Sequence, residues 1–430
     1  MKFSGRKLVA LTVVAGLVLA ACGGDDGGDD VAETTELSDT GSSNGLDTDN
    51  PFTLGLVLSS SGPIGVVGPQ SLLGVEAAVK ELNEGGGILG REVRIVTRDS
   101  KSEVNTAVLG AREIMDNEEP DFMLPDTLTT NALGILPLTT DANIFTMNNA
   151  SGAALNDPAQ FPYHFAFANS KSQDVAAMTA GTKKLVELGT IDDVEKVATL
   201  IYNSGVSQIV KEAMEKQFPA AGFDIVANEI FEPTATDITV QLEKIRATNP
   251  DILMLSAVGP GVVTAMTGLR DIGWDIPVMA DASSALQDLD AQLPPENKDN
   301  FYFPMLTPVT REGDTASSEI ITQLESVGKI ESLFVSTLTH DITVWAAWAI
   351  NKAGTTDGDA IAKVMETVGS LPESELPQNR ALKINPGYSA TNHSLGGGDL
   401  SQAFSLAHVG PLVSGTFPKL ADITIPKKVD

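Results

Sequence analysis

"FTLGLVLSSSGPIGVVGPQSLLGVEAAVKELNEGGGILGREVRIVTRDS", Phe52 to Ser100, changes its hydrophobic period twice. "FTLGLVLS" is a short apolar, β-prone run that ends in serines. "SLLGVEAAVKELNEGGG" puts Leu72, Val75, Val79 and Leu82 on one helical face, and Gly85 to Gly87 stop it. "REVRIVTRDS" is β-prone again. A strand, a helix and a second strand at these lengths predict a parallel pair joined by a crossover helix.

The alternation continues outward from that unit. "VNTAVLGAREIMDNEEP" reads as a helix, and "DFML", "TTNALGILPLTTDA" and "NIFTMNN" extend the series. After Tyr163 to Phe167 it restarts with "SQDVAAMTAGTKKLVELG", "KVATLIYN", "SQIVKEAMEKQFPAAG" and "FDIVANEIF". "TDITVQLEKIRATNP" follows, with Ile238, Leu242 and Ile245 at helical spacing, Asp237 at its start and Pro250 closing it; "DILMLSAV" is another strand. The fold class is therefore α/β, with parallel sheets covered by helices on both faces. Two such series, and more residues after Pro51 than one core usually serves, predict two Rossmann-like lobes. Past residue 300, "TASSEIITQLESVG", "LTHDITVWAAWAINKAG" and "GDAIAKVMETVGS" read as three helices, with Val344, Trp345, Trp348 and Ile350 as core. From Leu371 onward the chain is rich in Pro, Gly and polar residues and shows little periodicity.

The N-terminus has the three parts of an export signal: basic Lys2, Arg6 and Lys7, an uncharged apolar stretch from Leu8 to Ala21, and small Ala20 and Ala21 before Cys22. That stretch is shorter than the roughly 20 residues a spanning helix prefers, so an uncleaved anchor is the second reading. Leu19-Ala20-Ala21-Cys22 resembles a bacterial lipobox. The resemblance implies a signal peptide over residues 1–21 and lipid on the Cys22 thiol, which becomes the new N-terminus; a plain secretory signal with an incidental cysteine is the alternative. Cys22 is the only cysteine, so no disulfide forms within the chain. Residues 22–50 are expected to be an acylated cysteine and a disordered acidic tether. Gly23 to Asn50 holds nine acidic residues, no basic one and almost nothing apolar. As a coil it reaches about 30 Å. Charge repulsion explains Asp25, Asp26, Asp29 and Asp30 as well as a metal site would. The net charge of −29 argues against nucleic acid and against an anionic membrane surface as partners. No later segment reads as long and apolar enough to span a bilayer.

Signatures of catalysis are missing. His164, His340, His393 and His408 are scattered without metal-ligand spacing and read as surface or satisfied polar residues. No GxSxG elbow and no GxxxxGK[ST] phosphate loop occurs. "GPGVVT" at Gly259 follows a strand and opens a helix but lacks the third glycine of a dinucleotide loop, and "SVGK" at Ser326 to Lys329 stands at a helix end. The expectation is a binding protein, not an enzyme, with no cofactor and no metal.

In open parallel sheets ligands bind beyond the carboxyl ends of the strands. Six loops fall at such points: "SSSGPIGVVG", "PDTLTTNA", "MNNASGA", "YNSGVSQ", "SAVGPGV" and "ADASSA". Their Ser, Thr, Asn and Gly suit a carboxylate or another polar head group, although hydroxyls also cap helices.

At these loops the sequence resembles the extracytoplasmic solute-binding proteins of branched-chain amino acid ABC transporters, which have the type I periplasmic-binding-protein fold. The resemblance runs from Pro51 to about Lys352 and is carried by "SGPIGVVGPQSLLGVEAAVKELNEGGGILGREVRIVTRDS", "FPYHFAFANSKSQDVAAM" and "TDITVQLEKIRATNPDILML". It implies two lobes, residues 51–169 with 306–373 and residues 170–305 with 374–430. Crossings are expected near Ala168 to Lys171, Pro304 to Pro308 and Leu371 to Gln378. It also implies hinge closure on a small-molecule ligand, amino acid or related, and delivery to ABC permease subunits by a lipid-anchored monomer at the cell surface or in a periplasm. A flytrap of the same fold that signals to a membrane partner is the alternative. By the resemblance, Thr129 and Thr130 on one loop and Asn149, Ala150 and Ser151 on the next hold the ligand's acid group; Ser61 on the first loop is a further candidate for ligand contact. The ligand's ammonium meets an acid at or beside "ADAS", either Asp281 or, if the neighbouring position aligns, Ala282 with no acid at all. Valines stand where the family often has aromatics over the ligand, at Val67, Val206 and Val258, which leaves a roomier apolar pocket.

Overall fold

The structure, a computed structural model, describes residues 46–204, 206–232, 234–293, 295–306 and 315–429. The opening βαβ unit forms as expected. β1 (Asp47–Leu58) leads through α1 (Val67–Glu84) to β2 (Arg91–Asp99), parallel to it with Phe52 opposite Val93 and Leu58 opposite Asp99. Phe52–Leu58 is buried throughout, which is why that strand is an unbroken apolar run and not an alternating one. α2 (Val104–Glu118), β3 (Phe122–Leu124), α3 (Thr129–Asp141), β4 (Thr146–Asn148) and β5 (His164–Ala166) complete a parallel sheet of order β2-β1-β3-β4-β5.

The series then restarts on a second sheet. α4 (Lys171–Glu187) opens with a reciprocal cap: Ser170 Oγ accepts the Gln173 N–H at 3.2 Å and Gln173 Oε1 accepts the Ser170 N–H at 2.9 Å. β6 (Lys196–Tyr202), α5 (Ser207–Ala220), β7 (Asp224–Phe231), α6 (Thr239–Arg246), β8 (Ile252–Ser256), α7 (Pro260–Asp271), β9 (Val278–Ala280), α8 (Leu289–Gln292) and β10 (Phe301–Leu306) follow. After α9 (Thr315–Val327), α10 (Leu333–Ala353) and α11 (Gly358–Met365), the chain returns as β11 (Phe404–His408) and β12 (Lys419–Ile423). These two pair antiparallel, giving the order β12-β11-β10-β9-β8-β6-β7. The fold class expected from the alternation is observed; the antiparallel edge lies in the tail whose periodicity was too weak to read.

Three expectations are corrected. The tether does not reach Asn50, because β1 begins at Asp47, whose N–H donates to Gly90 O at 3.0 Å. The Arg91 guanidinium holds the same stretch, donating to Asn50 O, Pro51 O and the Asp121 carboxylate. Backbone pairing there outweighs a composition that suggests disorder. Residues 1–45, with the signal, Cys22 and the rest of the tether, lie outside the described residues. A later segment, α10, is long and apolar enough to cross a membrane, but it is buried along nearly all its length in the protein, so it is a core helix packed along α1.

The third correction concerns the crossing expected at Leu371 to Gln378. Past that point the chain still belongs to the first sheet's side. Asp341 on α10 accepts the N–H groups of Ala381 and Leu382, Tyr388 donates to Ala166 O on β5, and the His393 ring stacks on Phe165 at 3.8 Å between centroids. Only after Ser394, bridged to Ala166, does Gly396 O accept from Gln173 of α4 and the chain enter β11. A boundary after Ser394 therefore fits the contacts better than one at 373/374. The crossing expected at Pro304 to Pro308 runs into residues 307–314, outside those described.

His164, His340 and His393 are buried and not at the surface. Each is satisfied at Nδ1, by Thr146 Oγ1, Asp341 Oδ1 and His164 O respectively, at 3.0 Å. Trp345 is fully buried, as are Val344 and Ile350, whereas Trp348 is half-buried under the Lys352 ammonium at 4.9 Å.

Candidate functional site

All six loops begin at the carboxyl end of a parallel strand: after β1, β3 and β4 in the first sheet, and after β6, β8 and β9 in the second. Buried Asp126 organises the first-sheet set. Its carboxylate accepts from Ser59 Oγ at 2.9 Å, from Asn131 Nδ2 at 2.9 Å and from the Leu128 N–H at 3.2 Å, while its carbonyl accepts from Asn148 Nδ2 at 3.1 Å. The loops after β1, β3 and β4 are tied together at one residue.

On this frame the expected acid-binding residues divide. Asn149 Oδ1 accepts from Thr127 Oγ1 at 2.9 Å, and the Ala150 N–H is taken by Asn148 Oδ1 at 3.2 Å. Ser61 is exposed and turns away, donating to Asp99 Oδ2 at 2.6 Å. Thr129, Thr130 and Ser151 keep hydroxyls with no hydrogen bond to another described residue. Thr129 and the Ser151–Gly152 backbone stand together: a Cβ on Gly152 would lie 2.1 Å from Thr129 Cγ2. Thr129 also opens α3, whose preceding residue, Leu128, supplies no side-chain cap. Among the described residues no side chain takes the N–H groups of the first turn itself; the nearest carboxylate, Asp126, accepts the Leu128 N–H just before it and the Asn131 side chain within it.

The second-sheet loops come close to the first. Gly259 has φ 56° and ψ −131°, a conformation only glycine adopts without strain, and a Cβ there would stand 3.2 Å from Pro63 O and 3.5 Å from Ile64 Cγ2. Ser332 Oγ, at the start of α10, donates to Ala285 O at 2.9 Å. Around these contacts Ile64, Val67 and Val335 form a small buried cluster against which Leu128, Val258, Leu286 and Phe334 pack. Of the three valines, Val67 and Val258 share this cluster, whereas half-buried Val206 packs against the main core at the start of α5. Phe334, an aromatic at this place, belongs to none of the expected loops; nothing in its local pattern marks it.

Asp281 is 3% exposed and already engaged. Its carboxylate accepts from Ser256 Oγ at 2.6 Å and from the Ser283 N–H at 3.0 Å, and the Lys171 ammonium lies 4.0 Å away. Lys171, 7% exposed, also donates to Asp174 Oδ2 at 2.8 Å and to Ser283 Oγ at 3.2 Å. Burial opposes the lysine's charge, but Asp174 and Asp281 together outweigh it and push its pKa up. Burial, with Asp281 nearby, pushes Asp174 up against the pull of Lys171. Lys171 and Asp174 escaped the sequence reading, where "SKSQD" looks like a solvated helix start. Among the described residues no group of three or more His, Cys, Asp or Glu is placed to hold a metal ion.

The sequence matches the family described as periplasmic binding protein over residues 51–393, and no curated protein matches it. Solved structures share its fold at low identity. A leucine binding protein, LivK, from Thermotoga maritima superposes with a TM-score of 0.69 at 18% identity, covering 86% of this chain and 98% of that one. The branched-chain amino acid transporter substrate binding protein LivJ from Streptococcus pneumoniae, in complex with isoleucine, gives 0.68 at 16%, covering 88% and 100%. An ABC transporter solute binding protein from R. palustris, in complex with 4-hydroxybenzoate, gives 0.70 at 16%, covering 89% and 98%. The two sheets, the loops gathered at their carboxyl ends and a match across most of the sequence lead to one conclusion: the chain belongs to the periplasmic binding protein family, extracytoplasmic solute-binding proteins, and has the type I fold.

Proposed function

We propose that the protein captures a small acid-bearing ligand between the loops of its two lobes and delivers it to the permease of an ABC importer. The observation that carries this reading is the group of uncommitted hydroxyls of Thr129, Thr130 and Ser151 beside the uncapped start of α3. Hydroxyls and first-turn N–H groups together make a carboxylate site without a fixed positive side chain. The relatives in complex with isoleucine and 4-hydroxybenzoate hold ligands that share a carboxylate and little else, in keeping with such a site. Closure of the lobes by hinge motion about the segments after β5 and after Ser394 would enclose the ligand, and the Gly259–Pro63 approach lies between the two sets of loops. The protein acts as a monomer, and lipid on Cys22 holds it at the membrane.

The reading is tested by thermal unfolding of the full chain, stripped of carried-over ligand by unfolding and refolding. The panel holds amino acids, aromatic acids, aliphatic acids, amides and short peptides. An acid present at 100 times its dissociation constant stabilises by about 2.7 kcal/mol. A panel in which no acid stabilises, or in which the neutral amides do better, refutes a carboxylate site.

A further inference from the structure

The six loops carry two carboxylates, Asp126 and Asp281, and the protein has already used both. Asp126 is fully buried, with both oxygens taken by Ser59, Asn131 and the Leu128 N–H. Asp281 is bonded to Ser256 and the Ser283 N–H, and its charge is met by Lys171. Lys171 in turn donates to Asp174 at 2.8 Å and to Ser283 at 3.2 Å, and its charge lies 4.0 Å from the Asp281 carboxylate. A ligand ammonium at Asp281 would therefore sit next to the buried positive charge of Lys171, which repels it.

A ligand ammonium enclosed here would lose its water and find no uncommitted carboxylate on the six loops, which is costly for a charged group. The opposite end of the site has what an acid group needs, in the start of α3 with Thr129 and Ser151. Between the two sets of loops stand aliphatic side chains, Ile64, Val67, Val258 and Leu286, and one aromatic, Phe334.

We infer that the ligand is an amine-free carboxylic acid with an apolar body, and that the Lys171–Asp281 pair is what excludes α-amino acids from the cleft. This rests on the reading of the cleft as a carboxylate site. In that arrangement Asp281 is a positioning residue: it holds the loop after β9 and keeps Lys171 charged and silent, and the ligand's selectivity against amines follows from the lysine's occupation of the acid.

The test crosses two chemical changes on fixed skeletons. The refolded full chain is titrated calorimetrically with leucine, leucinamide, 4-methylpentanoic acid and 4-methylpentanamide, and with the matching phenylalanine and 3-phenylpropanoic acid series. The expected result is binding of the amine-free acids, with the α-amino acids at least about tenfold weaker and the amides weaker still. Amino acids that bind as well as or better than their amine-free partners, with acids still preferred to amides, overturn the inference and leave the carboxylate site standing. Amides that bind as well as acids, or no binding in either series, overturn both.

Discussion

The carboxylate of Asp341, in the middle of the longest helix, accepts the backbone N–H of Leu382 at 2.7 Å, forty-one residues further along the chain. The same carboxylate takes the Ala381 N–H at 2.6 Å and the His340 ring at 3.0 Å. Asp341 is fully buried, so it is the clamp that keeps the segment after α11 on the first sheet's side. Asp341→Ala leaves two buried N–H groups without an acceptor and should cost about 3 kcal/mol, since each bond to a charged partner is worth roughly half that. Urea unfolding measures it; a loss below about 1 kcal/mol would show that water replaces the clamp.

Gly259 joins the second-sheet loops to Pro63. At its φ and ψ a side chain is strained, and the new Cβ presses on Pro63 O. Gly259→Ala should therefore lower stability by about 1–3 kcal/mol and weaken ligand binding, because the strained contact belongs to the approach of the two sets of loops. Calorimetric titration beside urea unfolding checks both; a variant with unchanged stability would show that the loop relaxes at no cost.

Under the proposed reading, Ser151 is one of the uncommitted hydroxyls that meet the ligand's acid group. Ser151→Ala removes no protein hydrogen bond among the described residues, so stability should hold. Affinity for the acid identified in the panel should fall by about 1–3 kcal/mol, the usual penalty for a buried polar atom left unpaired. Unchanged affinity would place Ser151 outside the contact.

Acid should loosen the fold through His164. Burial first, then the neighbouring His393, lowers its pKa from 6.5 to about 3. The unfolded chain binds this proton below pH 6.5 and the folded chain refuses it until about pH 3. Stability from this group is thus complete above pH 6.5 and declines across that window as pH falls, by about 2 kcal/mol at pH 5. His164→Asn should flatten the difference between urea unfolding at pH 7 and at pH 5. His393, also lowered by burial, keeps a residual slope. Parallel pH profiles for the two proteins would assign the effect elsewhere.

Cys22→Ser tests the anchor. Lipid on the cysteine predicts that the wild-type chain sediments with membranes and that the variant does not. A variant that still sediments, without any lipid on the wild-type thiol, would favour an uncleaved apolar anchor.

Much of the architecture was legible because its causes are local. The period switch in Phe52–Ser100 is set by side-chain spacing along a few turns, and the stops at Gly85 to Gly87 are set by backbone freedom. The same logic put the six loops at the strand ends, where the structure has them. The tail resisted because β11 and β12 are short and are stabilised by pairing with β10, not by a periodic face of their own. Asp47 to Asn50 misled for a related reason: Arg91, forty residues away, holds a stretch whose composition favours disorder.

The candidate site divides along the same line. From sequence alone came the alternation of strands and helices, the family, the loops, and the hydroxyls of Thr129, Thr130 and Ser151, all consequences of neighbours along the chain. Tertiary structure alone decided which of those polar groups stay free. Asp281 meets Lys171 across 110 residues and Asp126 meets Ser59 across 67, and the state of a buried charge depends on the partner that packing brings to it, a distance the order of residues does not contain.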